Sequence, residues 1–188
     1  MSFLREMKKR FKYLPLISLA AVSLLLSSGA MPLQAQGRHE SRWSISSSLT
    51  YPIVRIYTLH FNYSISDSHE FFFGPCFQNY RHDSFEANAY TLVLGYRNFL
   101  WPRFFWETEI YPAFNRFYST IDESYYPGVE LWTEFKVGYR IRLFDEKFYV
   151  QPAPGLGFGI FRTNQPPNFG DEIRSPIFIP QLQIGFRI

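Results

Sequence analysis

From residue 42 to the last residue the chain alternates large apolar side chains with polar or small ones, one for one. The alternation breaks only at clusters of Pro, Asn, Asp, Gly and Ser. A period of two is the spacing at which successive side chains leave opposite faces of a β-strand, so the chain is committed to strands with one apolar and one polar face. The clearest segment is 129–143. There Val129, Leu131, Phe135, Val137, Tyr139, Ile141 and Leu143 share one face, against Glu130, Trp132, Glu134, Lys136, Gly138, Arg140 and Arg142 on the other. The same reading gives strands over 43–51, 55–65, 71–81, 90–97, 104–115, 148–160 and 178–188, eight in all. The first two share one apolar parity across Pro52 and can also be drawn as one long bent strand. An even count favours two.

Such alternation fits both a soluble barrel with an apolar interior, as in a lipocalin-like periplasmic binder, and a membrane barrel with an apolar exterior. Glycine separates them. Gly95, Gly138, Gly155, Gly157, Gly159 and Gly185 all fall on the charged face. Glycine weakens a solvent-facing strand for no return, but inside a narrow barrel it makes room for a large neighbour. If 144–147 is a four-residue turn, antiparallel pairing sets Trp132 opposite Gly159, Glu134 opposite Gly157 and Lys136 opposite Gly155. The charged face is therefore expected inside. The outward face then carries Tyr63, Phe71, Phe73, Tyr96, Phe104, Trp106, Phe148 and Phe186 near one set of turns, with Leu59, Leu92, Ile110, Val137, Leu156 and Leu182 further along. That is an aromatic girdle beside an aliphatic band.

With this pattern, residues 43–188 resemble the small eight-stranded outer-membrane barrels of Gram-negative bacteria, similar to the membrane domain of outer-membrane protein A. The resemblance implies an all-β, antiparallel transmembrane β-barrel with a filled interior rather than a pore. It also implies contact with outer-membrane lipids, and assembly by the barrel assembly machinery, which reads the last strand. Leu182, Ile184 and Phe186 match that terminal signal, although the chain ends on Ile188 where the family usually carries an aromatic residue. Both termini and the short turns 66–70, 99–103 and 144–147 are expected on the periplasmic side, and the longer connections 116–128 and 162–175 outside. The connection at 51–54 is short for an outer one.

The N-terminus agrees with export. Arg5, Lys8, Lys9, Arg10 and Lys12 precede an apolar run over 14–26, followed by Ser27, Ser28, Gly29 and Ala30. This is the order of a secretory signal peptide, and the run is shorter than the roughly 20 residues a spanning helix needs. Cleavage after Ala30 or Ala35 is expected. Ala35 fits better, because Pro32 marks the exit from helix, which gives a signal peptide over 1–35 and a barrel over 36–188. The segment also accounts for the basic balance. The whole chain carries a net charge of +3, but five of its nineteen Lys and Arg lie before residue 36, against Glu6 alone of its sixteen acids. The remainder is near neutral, so nucleic acid is not an expected partner. Cys76 is the one cysteine, so no internal disulfide is possible. It lies on the inward face with Gly74 and Gln78, as a small filler.

Candidate chemistry rests on few residues. Glu107 and Glu109 lie roughly 6.5 Å apart on one strand face, and Glu130 and Glu134 lie on another inward face. Paired carboxylates can act as acid and base in glycoside hydrolysis. With Arg97, Lys136, Arg140, Arg142 and Arg187 on the same inward faces, they read instead as an ion-pair network that fills the interior. His82 and Ser84 form an H-x-S triplet similar to the His and Ser spacing of outer-membrane lipid A deacylases, in which a serine beside a histidine can be activated as a nucleophile. Glu86 or Glu123 would then orient the histidine. That family carries its pair in the C-terminal half, and here the triplet lies early, so no catalytic residue is assigned. His60 is inward and alone, and with His39, His69 and His82 it shows no metal-ligand spacing. No cofactor is expected. The segment 164–171, with its prolines, is a candidate surface loop for an unknown ligand, or a stiffened connection.

Overall fold

The structure is a computed structural model that describes residues 42–82, 85–166 and 176–188. The strands are β1 (Trp43–Ser48), β2 (Ile56–Thr58), β3 (His60–Ser64), β4 (His69–His82), β5 (Phe85–Phe99), β6 (Phe104–Ser119), β7 (Ser124–Tyr139), β8 (Ile141–Leu143), β9 (Phe148–Arg162) and β10 (Ile177–Arg187). All pairings are antiparallel. β2 and β3 lie end to end along β4, and β7 and β8 lie end to end along β9. Eight strand paths result, in the order β1, β2–β3, β4, β5, β6, β7–β8, β9, β10, and β10 pairs with both β9 and β1. The eight paths form a ring in which each has two neighbours.

β1 and β2–β3 are thus two strands. They are separated by a single-turn 3-10 helix, Tyr51–Val54, which ends at Arg55 in the left-handed region. The break between β2 and β3 falls at Leu59, opposite Pro75. The Leu59 N–H still donates to the Pro75 carbonyl at 3.1 Å, but proline has no N–H to return.

The face assignment holds along every path. On β6 the inward residues from Phe105 to Ser119 are buried at every second position, with Glu107, Glu109, Asn115 and Phe117 among them, while Ile110 and Phe114 are exposed. Arg97, Lys136, Gln151, Gln183 and His60 are fully buried, and Phe73, Leu92, Phe135, Leu156 and Phe186 on the opposite faces are open. The apolar interior that a lipocalin-like binder requires is therefore not formed. The glycines lie where large inward rings need space. A methyl group on Gly95 would overlap the ring of Phe72, and one on Gly185 the ring of Tyr149. The expected register between β7 and β9 is present, with Trp132 opposite Gly159, Glu134 opposite Gly157 and Lys136 opposite Gly155.

The strands are longer than expected at the end away from the termini. β4 and β5 run on until His82 pairs with Phe85, and β6 and β7 until Ser119 pairs with Ser124. What reads in sequence as a loop over 116–128 is a hairpin whose turn occupies 120–123. Tyr118 packs on Tyr125 across it with ring centroids 4.9 Å apart, and Arg116 lies over the Tyr125 ring at 4.1 Å. Segment 1–41, with the expected signal peptide, and much of the 164–171 loop lie outside the described residues.

Candidate functional site: the charged interior

Strand parity brings inward side chains from β4, β5, β6, β7 and β9 to the axis of the ring, and Glu70, Arg97, Glu107, Glu109, Glu134 and Lys136 are buried among them. Two connected groups form at its centre. Arg97 on β5 lies between Glu70 and Glu107, with its Nη2 2.6 Å from Glu107 Oε2 and its Nη1 bonded to Glu70. Arg140, in the break between β7 and β8, donates to both Glu70 oxygens at 2.9 and 2.7 Å. The guanidinium groups also lie on aromatic faces, Arg97 between Phe72 and Phe105, and Arg140 between Phe99 and Tyr149. Such stacking suits a planar cation that is weakly hydrated.

The second group centres on Lys136. Its Nζ lies 2.5 Å from Glu109 Oε2, 2.8 Å from Glu134 Oε2 and 3.6 Å from Glu107 Oε1, so Glu107 joins the two groups. Tyr51 enters this group from the 3-10 turn and donates its hydroxyl to Glu134 Oε2 at 2.8 Å. The Tyr111 hydroxyl reaches both Glu109 and Glu134, and Trp132 Nε1 donates to Glu134 at 3.2 Å. A buried ion pair is stable only when further hydrogen bonds satisfy its remaining atoms, and the aromatic hydroxyls and indole supply them.

Of the residues expected in an interior network, Arg97, Glu107, Glu109, Glu134, Lys136 and Arg140 are brought together. Glu130 lies nearer the end away from the termini and accepts from Asn115, whose side-chain oxygen takes a 2.9 Å bond from Arg162 Nη2. Arg142 and Arg187 pair with Glu146 in the turn after β8, at 2.8 and 3.5 Å. Sequence reading missed Glu70, Tyr51, Tyr111 and Arg162. Glu70 was assigned to a turn, yet it shares the parity of Gly74 and Cys76, and extending the strand by one residue places it inside.

His60 is buried and stacked on Phe72, 5.3 Å between ring centroids. Cys76 is buried, against Phe72, Val93 and Tyr111. His82 is the last residue of β4, and its side chain and all of Ser84, the H-x-S candidates, lie outside the described residues. Chemically, the described interior is a network of buried ion pairs in which Glu109 Oε1 and both ring nitrogens of His60 carry no hydrogen bond. The carboxylates face lysine, arginine and phenol groups.

The chain is similar to the N-terminal β-barrel domain of Pseudomonas aeruginosa OprF. The likeness to that crystal structure covers 81% of this chain and 100% of the domain, at 14% sequence identity and a TM-score of 0.49. No family model matches the chain, and no curated protein matches it.

Proposed function

We propose that residues 36–188, released from a signal peptide over 1–35, form an outer-membrane β-barrel of a Gram-negative bacterium. Its interior is filled and salt-bridged, and its role is structural or surface-interacting rather than enzymatic. The observation that carries this reading is the inversion of polarity. Lys136, Glu107, Glu109 and Arg97 are buried, while Phe73, Leu92, Leu94, Phe135, Leu156, Phe158, Phe178 and Ile184 stand in the open. A soluble monomer rarely exposes a continuous apolar surface of more than a few hundred Å², and here it encircles the molecule. A bilayer is the solvent that fits, since strands paired with a neighbour on each side satisfy most of their backbone groups among themselves.

Aromatic contacts at one end support the orientation. Trp43 packs on Tyr63, Phe71 on Tyr96, Tyr96 on Trp106, and Phe148 on Phe186, all beside the turns 65–68, 100–103 and 144–147 and the last residue. This is the girdle of the periplasmic interface. Lipids of the outer membrane and the barrel assembly machinery are the partners this reading requires. It is tested by fractionation of cells and by gel mobility. The folded chain is expected in the outer membrane and to migrate faster unheated than boiled. Recovery of monodisperse folded protein without detergent would overturn it.

A further inference from the structure

The outer surface differs between the two halves of the ring, and register shows how. Across β2, β4, β5 and β6 the outward residues form rows. Tyr57, Phe77, Tyr90 and Phe114 pair in sequence across four strands. Two residues further from the termini, about 7 Å along the strands, Asn79 pairs with Asn88 and Asn88 with Arg116, and the Asn79 N–H donates to the Arg55 carbonyl at 3.0 Å. The next row begins with Arg81 opposite Glu86. Arg55, Arg81 and Arg116 are therefore exposed just beyond an aromatic row, Arg116 with its guanidinium over the Tyr125 ring. Glu86, among the described residues, lies 3.5 Å from Arg81. Among the described residues, the outward positions at this end of β7, β9, β10 and β1 carry no Lys or Arg.

Beneath the arginines the wall is indented. Where β2 gives way to β3, a groove of about 520 Å³ lies among Tyr57, Leu59, Pro75, Phe77 and Tyr90. It lies beside the break at Leu59 and Pro75 and opens onto the apolar exterior. An arginine at the edge of an apolar belt reaches the headgroup layer, and its forked guanidinium suits phosphate oxygens. We propose that this face, at the end opposite the termini, binds one phosphorylated lipid, its anionic head held by Arg55, Arg81 and Arg116 and one acyl chain lying in the groove. The proposal rests on the membrane reading and deepens it by naming the lipid class.

The test uses the protein refolded into dodecyl maltoside micelles, with lipid retention read by native mass spectrometry. Dipalmitoyl phosphatidic acid and dipalmitoyl phosphatidylcholine are added in equal amounts. The wild type is expected to retain one phosphatidic acid with about tenfold preference. The triple variant Arg55→Gln, Arg81→Gln, Arg116→Gln is expected to lose that preference. Arg103→Gln, in a turn at the other end, should keep it, and Leu59→Trp, which fills the groove, should weaken retention of both lipids. Should the triple variant fail to fold, Arg81→Gln and Arg116→Gln singly are each expected to cut the preference about threefold. Unchanged preference in the variants that fold overturns the site, as does equal displacement by millimolar inorganic phosphate, which would make it a plain anion site. Heat-dependent gel mobility separates the two levels of failure. A wild type with no mobility shift refutes the membrane barrel, whereas a shifting wild type with no lipid preference refutes the lipid site alone.

Discussion

Replacing Lys136 with methionine removes the cation at the centre of the interior while keeping most of its volume. The magnitude follows from its surroundings. Four buried carboxylates, Glu70, Glu107, Glu109 and Glu134, share three cations, Arg97, Lys136 and Arg140. Lys136→Met leaves Glu109 and Glu134 without a cation at 2.5 and 2.8 Å and widens the imbalance from one negative charge to two. Breaking a buried pair by removing one partner costs about 3–5 kcal/mol, because the stranded charge stays desolvated. Glu109→Gln acts on the same contact from the other side, yet it brings carboxylates and cations to equal number, and the amide oxygen still accepts from Lys136. Its expected cost is about 1 kcal/mol, the worth of one ordinary hydrogen bond. Adding Glu109→Gln to Lys136→Met should recover part of the loss. The assay is urea unfolding of the vesicle-inserted protein, followed by tryptophan fluorescence and gel mobility. Equal costs for the two single variants, or a Lys136→Met within about 1 kcal/mol of wild type, would refute the charge accounting.

Gly157→Leu should destabilise the barrel by about 1–3 kcal/mol through overpacking, and Ile179→Ala should relieve it, because a side chain at 157 meets Ile179 and Trp132 first. Glu134→Ala should not relieve it despite lying opposite in register, since Glu134 anchors Tyr51, Trp132 and Lys136; urea unfolding of the double variants separates the two. Leu156→Arg, on the outward face that the membrane reading turns to lipid, should cost about 2–4 kcal/mol by the same assay, and a harmless Leu156→Arg would undo the assignment of faces. In planar bilayers the protein is expected to show no single-channel steps, because eight strands leave an interior that side chains fill; stable conductance would refute the filled interior.

Face assignment was legible in the sequence because parity along a strand is a local property, and Arg97, Glu107 and Lys136 each sit among residues of opposite character. The β7–β9 register was legible because three glycines at alternate positions oppose three large residues. The outer ends of the strands were not. Ala87 and Ala89 face inward beside Asn88, and Tyr118 and Tyr125 carry ring and hydroxyl together, so the apolar-polar contrast that marks a strand fades there. The wiring of the charged interior was illegible for a different reason. Parity says that a side chain points to the axis, but not which strand across the ring meets it. Glu70 and Arg140, 70 residues apart, meet only once the ring is closed. Tyr51 was hidden because its inward turn depends on a partner, Glu134, far along the chain.

The inward Tyr51 divides the turns at that end into two kinds. The turn over 120–123 stands on a hairpin paired out to Ser119 and Ser124, with Ile121 exposed to solvent. If the proposed outer-membrane orientation holds, foreign peptide grafted there should be carried at the cell surface without disturbing the barrel, as exposed turn tips generally permit. The turn over 51–54 is instead a stopper whose tyrosine is hydrogen-bonded to the carboxylate cluster. A graft at that turn would pull the stopper out and open the charged interior to water, so of these two turns only the first offers a site for surface display.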